Sequence, residues 1–171
     1  MKLNGYSLKS VKTLETHDGV CISGNVYYSG KQIGSVYDEG RGGTIIVDLS
    51  SEYPEHYPVL SEDFVWRLLE LKDYEDIFKK NLKKQPEDGT AFVIFANSYN
   101  LKSLVCGRSA SMDDIRNFVS ETMPGKEVKS IEIFRSLDDF NIDQDHRPEL
   151  YVNADADEDI GEYMDSGIQM T

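Results

Sequence analysis

Residues 6–14 (YSLKSVKTL) alternate apolar and polar positions with the period of two that a half-buried strand shows. A turn at His17-Asp18-Gly19 separates them from residues 20–28 (VCISGNVYY), which read as a second strand. Ser29-Gly30-Lys31 is a hairpin signal, and residues 32–37 (QIGSVY) form the return strand. A glycine-rich stretch, Asp38 to Gly43, leads into TIIVDL at 44–49. The first third of the chain therefore reads as a four-strand antiparallel meander.

Beyond Pro54 and Pro58 the period changes. Phe64, Leu68, Leu71, Ile77, Phe78 and Leu82 recur at helical spacing and predict a helix over 62–83. Ser61 is its N-cap, because its hydroxyl can accept from a free amide of the first turn. Glu62 and Asp63 suit the positive end of the helix dipole, and Lys79, Lys80, Lys83 and Lys84 suit the other end without any ligand. The apolar run 90–96 (TAFVIFA) predicts a central strand and 101–106 (LKSLVC) a second one. Ser111 and Asp114 resemble a capping box and open a helix whose Ile115, Phe118 and Val119 face inward, stopped by Pro124-Gly125. Residues 127–134 (EVKSIEIF) alternate again as a strand.

The pattern predicts an α+β fold: an antiparallel N-terminal β-meander followed by helix-strand-strand-helix-strand, with an acidic C-terminal extension. We expect one domain over 1–135, in which a β-rich part (1–50) and an α+β part (61–135) share one core, with the strands in two regions or merged into one sheet. Val93, Phe95, Leu68, Phe64, Phe118 and Ile131 are the expected core. Residues 136–171 form an acidic segment. Its first part packs on the domain, because Leu137, Phe140, Ile142, Leu150, Tyr151, Val152, Ile160, Tyr163 and Met164 are more apolar residues than a purely solvating tail carries, and its last dozen residues are expected to be loose.

Charge sharpens this division. The 171 residues carry a net charge of −13. Residues 136–171 hold 11 acids against the single base Arg147, a net of −10, while the other 135 residues hold 20 acids and 17 bases. A field of this sign repels nucleic acid and membranes and attracts basic protein surfaces. No stretch is apolar enough for a membrane helix, and MKLNGYSLKS lacks the core of a signal peptide, so a cytoplasmic location is expected. Cys21 and Cys106 sit among apolar neighbours, as reduced buried thiols do.

Chemical motifs are absent. In the Asp155, Asp157, Asp159 series the positions that a calcium loop fills with Gly and Glu hold Ile160 and Ser166, so no metal is expected. The Gly40-Arg41-Gly42-Gly43 run lacks a phosphate-loop lysine and adjoins Asp38 and Glu39, which would repel an anion; it reads as a tight strand connection. His17, His56 and His146 show neither metal-ligand nor nucleophile-elbow spacing. No catalytic residue and no cofactor are assigned.

The segment HDGVCISGNVYYSGKQIGSVYDEGRGG (17–43), through Asp18-Gly19, Tyr27-Tyr28, Gly30-Lys31, Ile33-Gly34 and Asp38 to Gly43, resembles segments of small phage and mobile-element proteins. In profile the whole chain is similar to anti-CRISPR and other counter-defence inhibitors. The resemblance implies an accessory protein that binds a basic groove on a host defence nuclease and stands in for nucleic acid without binding any itself. Under that reading the partner-binding residues are Asp138, Asp139, Asp143, Asp145, Tyr151, Asp155, Asp157, Glu158, Asp159, Glu162 and Tyr163. An enzyme acting on a nucleotide or small molecule, and an architectural virion or plasmid-maintenance protein, are the alternatives.

Overall fold

The computed structural model describes residues 1–84, 90–97, 101–122 and 128–153. The chain divides into two compact units, Met1–Asp73 and Tyr74–Thr171, with the boundary inside the long helix. The fold is α+β, and its strands form two separate antiparallel sheets rather than one merged sheet.

In the first unit, strands β1 (Lys2–Leu3), β2 (Tyr6–Thr16), β3 (Gly19–Tyr28), β4 (Lys31–Asp38) and β5 (Ile46–Leu49) lie side by side in reverse chain order. The expected meander is present, preceded by a two-residue strand that the sequence did not reveal. Ser29 and Gly30 both have positive φ, 46° and 85°. That is the twist a two-residue hairpin loop needs to match its strands. At Ser10 (φ 54°) the β2–β3 register slips between Lys9 and Lys12, a bulge that bends the long hairpin. One face of the sheet carries Leu8, Val26, Ile33, Val36 and Leu49, which pack with Val65, Leu68 and Leu69 of helix α1 (Glu62–Lys84). Burying each such side chain contributes about 1.5–3 kcal/mol, so this cluster holds the helix to the sheet. The Phe64 amide donates to Ser61 Oγ at 3.3 Å, the predicted cap.

The second unit contains β6 (Thr90–Asn97), β7 (Leu101–Gly107), α2 (Met112–Thr122), β8 (Val128–Phe134), β9 (Asn141–Ile142) and β10 (Glu149–Val152). Its sheet has the order β10-β8-β6-β7. α2 lies on one face, with Ile115 and Val119 against Ala91, Val93, Ile131 and Ile133. On the other side, Phe134 stacks on Phe140 with centroids 4.3 Å apart and planes 11° from parallel, and Phe78 meets Phe140 edge-on at 5.5 Å. The predicted capping box is formed: the Asp114 amide donates to Ser111 Oγ and the Ser111 amide to Asp114 Oδ2, both at 3.1 Å.

The helical faces differ from expectation at two residues. Ile77 is 39% exposed. At about 100° per residue, nine residues place it half a turn from Leu68, away from the buried stripe. Phe118 is 48% exposed, because Ile115 and Val119 define a narrow stripe that leaves it to one side. Phe64 is half-buried, while Val93, Leu68 and Ile131 are buried as expected. The side chain of Phe95 lies outside the described residues. Among the described residues no helix is long and apolar enough to cross a membrane.

Candidate functional site

The acidic segment begins as ordered structure. After β8 the chain turns through Leu137–Phe140, and Asp139 Oδ2 accepts from the amides of Arg135 and Ser136 at 2.7 and 2.8 Å. Asp143 Oδ1 likewise accepts from the amides of Asp145 and His146 at 2.9 and 2.8 Å. These backbone donors hold the Asp143 carboxyl below its usual range, so the turn keeps a fixed negative charge. Glu149 Oε2 takes both Nε and Nη2 of Arg135, at 3.2 and 2.9 Å. The Nη1 of the same guanidinium donates to the carbonyls of Arg108 and Ala110 at 2.7 and 2.8 Å. Arg135 thereby ties β10 and the β7–α2 connection to the end of β8.

Tyr151 faces α2. The Arg116 guanidinium lies 4.1 Å from its ring centroid and donates to its hydroxyl at 3.3 Å. Of the residues predicted to bind a partner, Asp139, Asp143 and Tyr151 therefore also hold the second unit together, while Asp138 and Asp145 are exposed. Asp155, Asp157, Glu158, Asp159, Glu162 and Tyr163 lie outside the described residues.

A second candidate lies on the solvent face of the first sheet. An open cleft of about 610 Å³ is lined by Lys12, Leu14, Cys21, Ser23, Tyr37 and Arg41, among others. Leu14 is 65% exposed there. Cys21 Sγ donates to the Glu39 carbonyl at 3.1 Å, so its partner is the backbone rather than an imidazole base. Both cysteines are free, but each is half-buried rather than fully enclosed as their flanks suggested. Burial pushes the Cys106 thiol upward, which disfavours the thiolate. The glycine run acts as a strand connection. Gly40 takes a left-handed φ of +71°, and a β-carbon there would lie 2.9 Å from the backbone of Val20 and Cys21. Its amide already donates to Asp38 Oδ1 at 2.7 Å, where an anion nest would need it free.

The third cluster escaped the sequence reading. Tyr6 Oη and His56 Nδ1 are 2.6 Å apart and buried, and His56 Nε2 lies 3.5 Å from Glu55 Oε1. Tyr28 and Phe64 pack around the Tyr6 ring at 4.6 and 5.4 Å. The buried Tyr6–His56 hydrogen bond leaves the other imidazole nitrogen facing the Glu55 carboxylate. Burial, then the charges of Tyr28 and Glu55, raise the Tyr6 pKa to about 12. Enclosed by Tyr28 and Phe64 and bonded to His56, the phenol ties strand β2 to the turn at 54–56. The neutral phenol is the form the fold prefers. Its stabilisation is complete below pH 10, where an unfolded tyrosine is still protonated, and is lost as pH rises from 10 through about 12. At most roughly 2–3 kcal/mol is involved. In an alkaline absorbance titration of the ten tyrosines, we expect one late component that Tyr6→Phe removes. A titration unchanged by that substitution would contradict the burial of this hydroxyl.

Among the described residues no group of three His, Cys, Asp or Glu could hold a metal ion. No family model, curated protein or solved structure matches the chain.

Proposed function

We propose that the protein acts by binding another protein, as an accessory inhibitor that occupies the basic groove of a nucleic-acid-handling host defence enzyme. The observation that carries this is the charge split, −10 over residues 136–171 against −3 over the other 135. The ordered start of that segment supports it: Asp138 and Asp145 are exposed, and Asp143 is held ionised by its own turn. Carboxylates on a folded framework can present charge at fixed spacing, as phosphates do, and compete for the same Lys and Arg side chains. Charge alone gives on-rate more than affinity, so apolar or backbone contacts must hold the complex once formed.

The test is surface plasmon resonance against the partner recovered by pull-down from a host lysate. Neutralising Asp155, Asp157, Glu158 and Asp159 together, as Asn and Gln, is expected to slow association about tenfold and to change dissociation less. Raising salt should weaken wild-type binding, since exposed charges are screened beyond about 8 Å at physiological ionic strength. Binding indifferent to both changes would overturn the electrostatic reading.

A further inference from the structure

Strand β10 ends its sheet, and its outer edge has a defined chemistry. The Asn153 amide donates to the Lys129 carbonyl at 2.8 Å. Cα partners in the β10–β8 ladder run from Glu149↔Ile133 to Val152↔Ser130. In an antiparallel ladder, hydrogen-bonded and non-bonded pairs alternate, so Glu149, Tyr151 and Asn153 bond to β8. The N–H and C=O groups of Leu150 and Val152 therefore point away from the sheet. Among the described residues no strand pairs with that side. The side chains of the same two residues are 48% and 43% exposed on one face. The opposite face presents Tyr151 and Glu149, and Arg135 engages only Oε2 of the Glu149 carboxylate.

We propose that the β10 edge is a strand-addition site for an extended, basic segment of the partner protein, one in which apolar residues alternate with lysine or arginine. Backbone groups of Leu150 and Val152 supply two donors and two acceptors, and alternate side chains of the incoming strand fall on the two faces. Apolar ones meet Leu150 and Val152; on the other face Arg135 and Arg116 already engage Glu149 and Tyr151, so the cationic ones are drawn by the acids that flank the strand. The charge selects the occupant. Asp143 and Asp145 precede the strand, and Asp155, Asp157, Glu158 and Asp159 follow it in sequence. A second copy of this chain would bring a second segment of net charge −10 to the same edge, and like charge opposes that pairing. The inference rests on the partner-binding reading above and adds the mode of attachment.

The probe is an acetylated eight-residue peptide of alternating valine and lysine, with a proline-interrupted peptide of the same charge as control. Hydrogen exchange followed by NMR reads the result on the unaltered protein. In the free protein the Leu150 and Val152 amides should exchange quickly and those of Tyr151 and Asn153 slowly. With saturating peptide, Leu150 and Val152 should become protected at least about tenfold, and the control peptide should protect neither. Peptide binding that leaves these two amides unprotected, or no binding at all, overturns the proposal. Leu150→Pro gives a second reading, because proline at an outward-facing edge position removes the donor without breaking the β8 ladder. It should weaken peptide binding at least tenfold; wild-type binding by this variant also overturns the proposal. The two readings fail separately. If neutralising the four acids slows association with the natural partner while Leu150→Pro does not weaken the complex, the acidic surface binds and the edge does not. If the peptide protects the edge equally at high salt and after neutralisation, the edge is a strand acceptor and the electrostatic reading falls.

Discussion

Replacing Phe140 with alanine is expected to cost the second unit about 3–5 kcal/mol. Phe140 is fully buried, with one face stacked on Phe134 and Phe78 against it edge-on, and all three rings are inaccessible to solvent. Removing the middle ring deletes a large buried surface and leaves a cavity between two aromatic neighbours fixed in different elements, β8 and α1. The site collapses poorly, because Phe134 is set by its strand and Phe78 by its helix. Hydrogen exchange over 128–142 in a denaturant series measures the loss. Phe118→Ala is the matched control. The same chemistry at a half-exposed position on α2 should change stability by no more than about 0.5 kcal/mol. Equal effects of the two substitutions would contradict the burial of the Phe78–Phe140–Phe134 stack.

Phe140 also marks the limit of what periodicity reveals. The strands β2 to β8 and both helices follow from apolar alternation, short apolar runs between turn signals or the helical period of about 3.6, and the caps at Ser61 and Ser111 follow from local hydrogen-bonding chemistry. Those signals are local. Over 136–145 single apolar residues stand among Asp, Asn and Gln, so nothing local separates buried Phe140 from exposed Leu137. The short strand β10 is likewise set by its partner β8 and by Arg135, contacts 14 to 22 residues away in sequence that leave no periodic mark. Tyr6 and His56, 50 residues apart, could be joined only by the fold.

Charge was legible in amount but not in use. The sequence shows eleven acids after residue 135; the structure shows Asp139 and Asp143 accepting backbone hydrogen bonds and Glu149 held by a guanidinium. Such carboxylates order the chain first and present charge second. This has a consequence for the proposed function. Neutralising Asp139 or Asp143 as Asn would replace the charged acceptor of two backbone amides by a weaker neutral one and loosen the turn, so a loss of binding there would not isolate electrostatics. The later acids are better probes for that reason.

Gly34→Ala is expected to release β5 from the first sheet. Gly34 pairs with Leu49, and a β-carbon at Gly34 would run into the Asp48 carbonyl oxygen and lie 2.9 Å from Leu49 Cα. These are backbone atoms, which cannot turn aside as a flexible side chain can, so the two strands must part. β5 has four residues at the sheet edge, with β4 as its neighbour. It is the weaker side of the contact and moves first. Its departure breaks the β4–β5 ladder, loosens the bond from the Ser50 amide to the Ile33 carbonyl at 2.9 Å, and exposes Leu49, which is otherwise buried. The strain of overpacking, typically 1–3 kcal/mol, and the burial of one leucine together set the cost at about 2–4 kcal/mol. It should appear as loss of amide protection at 46–50 before any change in β2 and β3. Ser35→Ala, one residue along, places no new atom beside β5 and should stay within about 0.5 kcal/mol. The glycine at 34 lies within the 17–43 segment whose pattern is read from sequence as a hairpin and turn. Its role is a close approach of two backbones rather than a turn. Retained protection at 46–50 in Gly34→Ala would mean that the sheet absorbs the methyl group by a shift along β4, and that this close approach is not what requires glycine there.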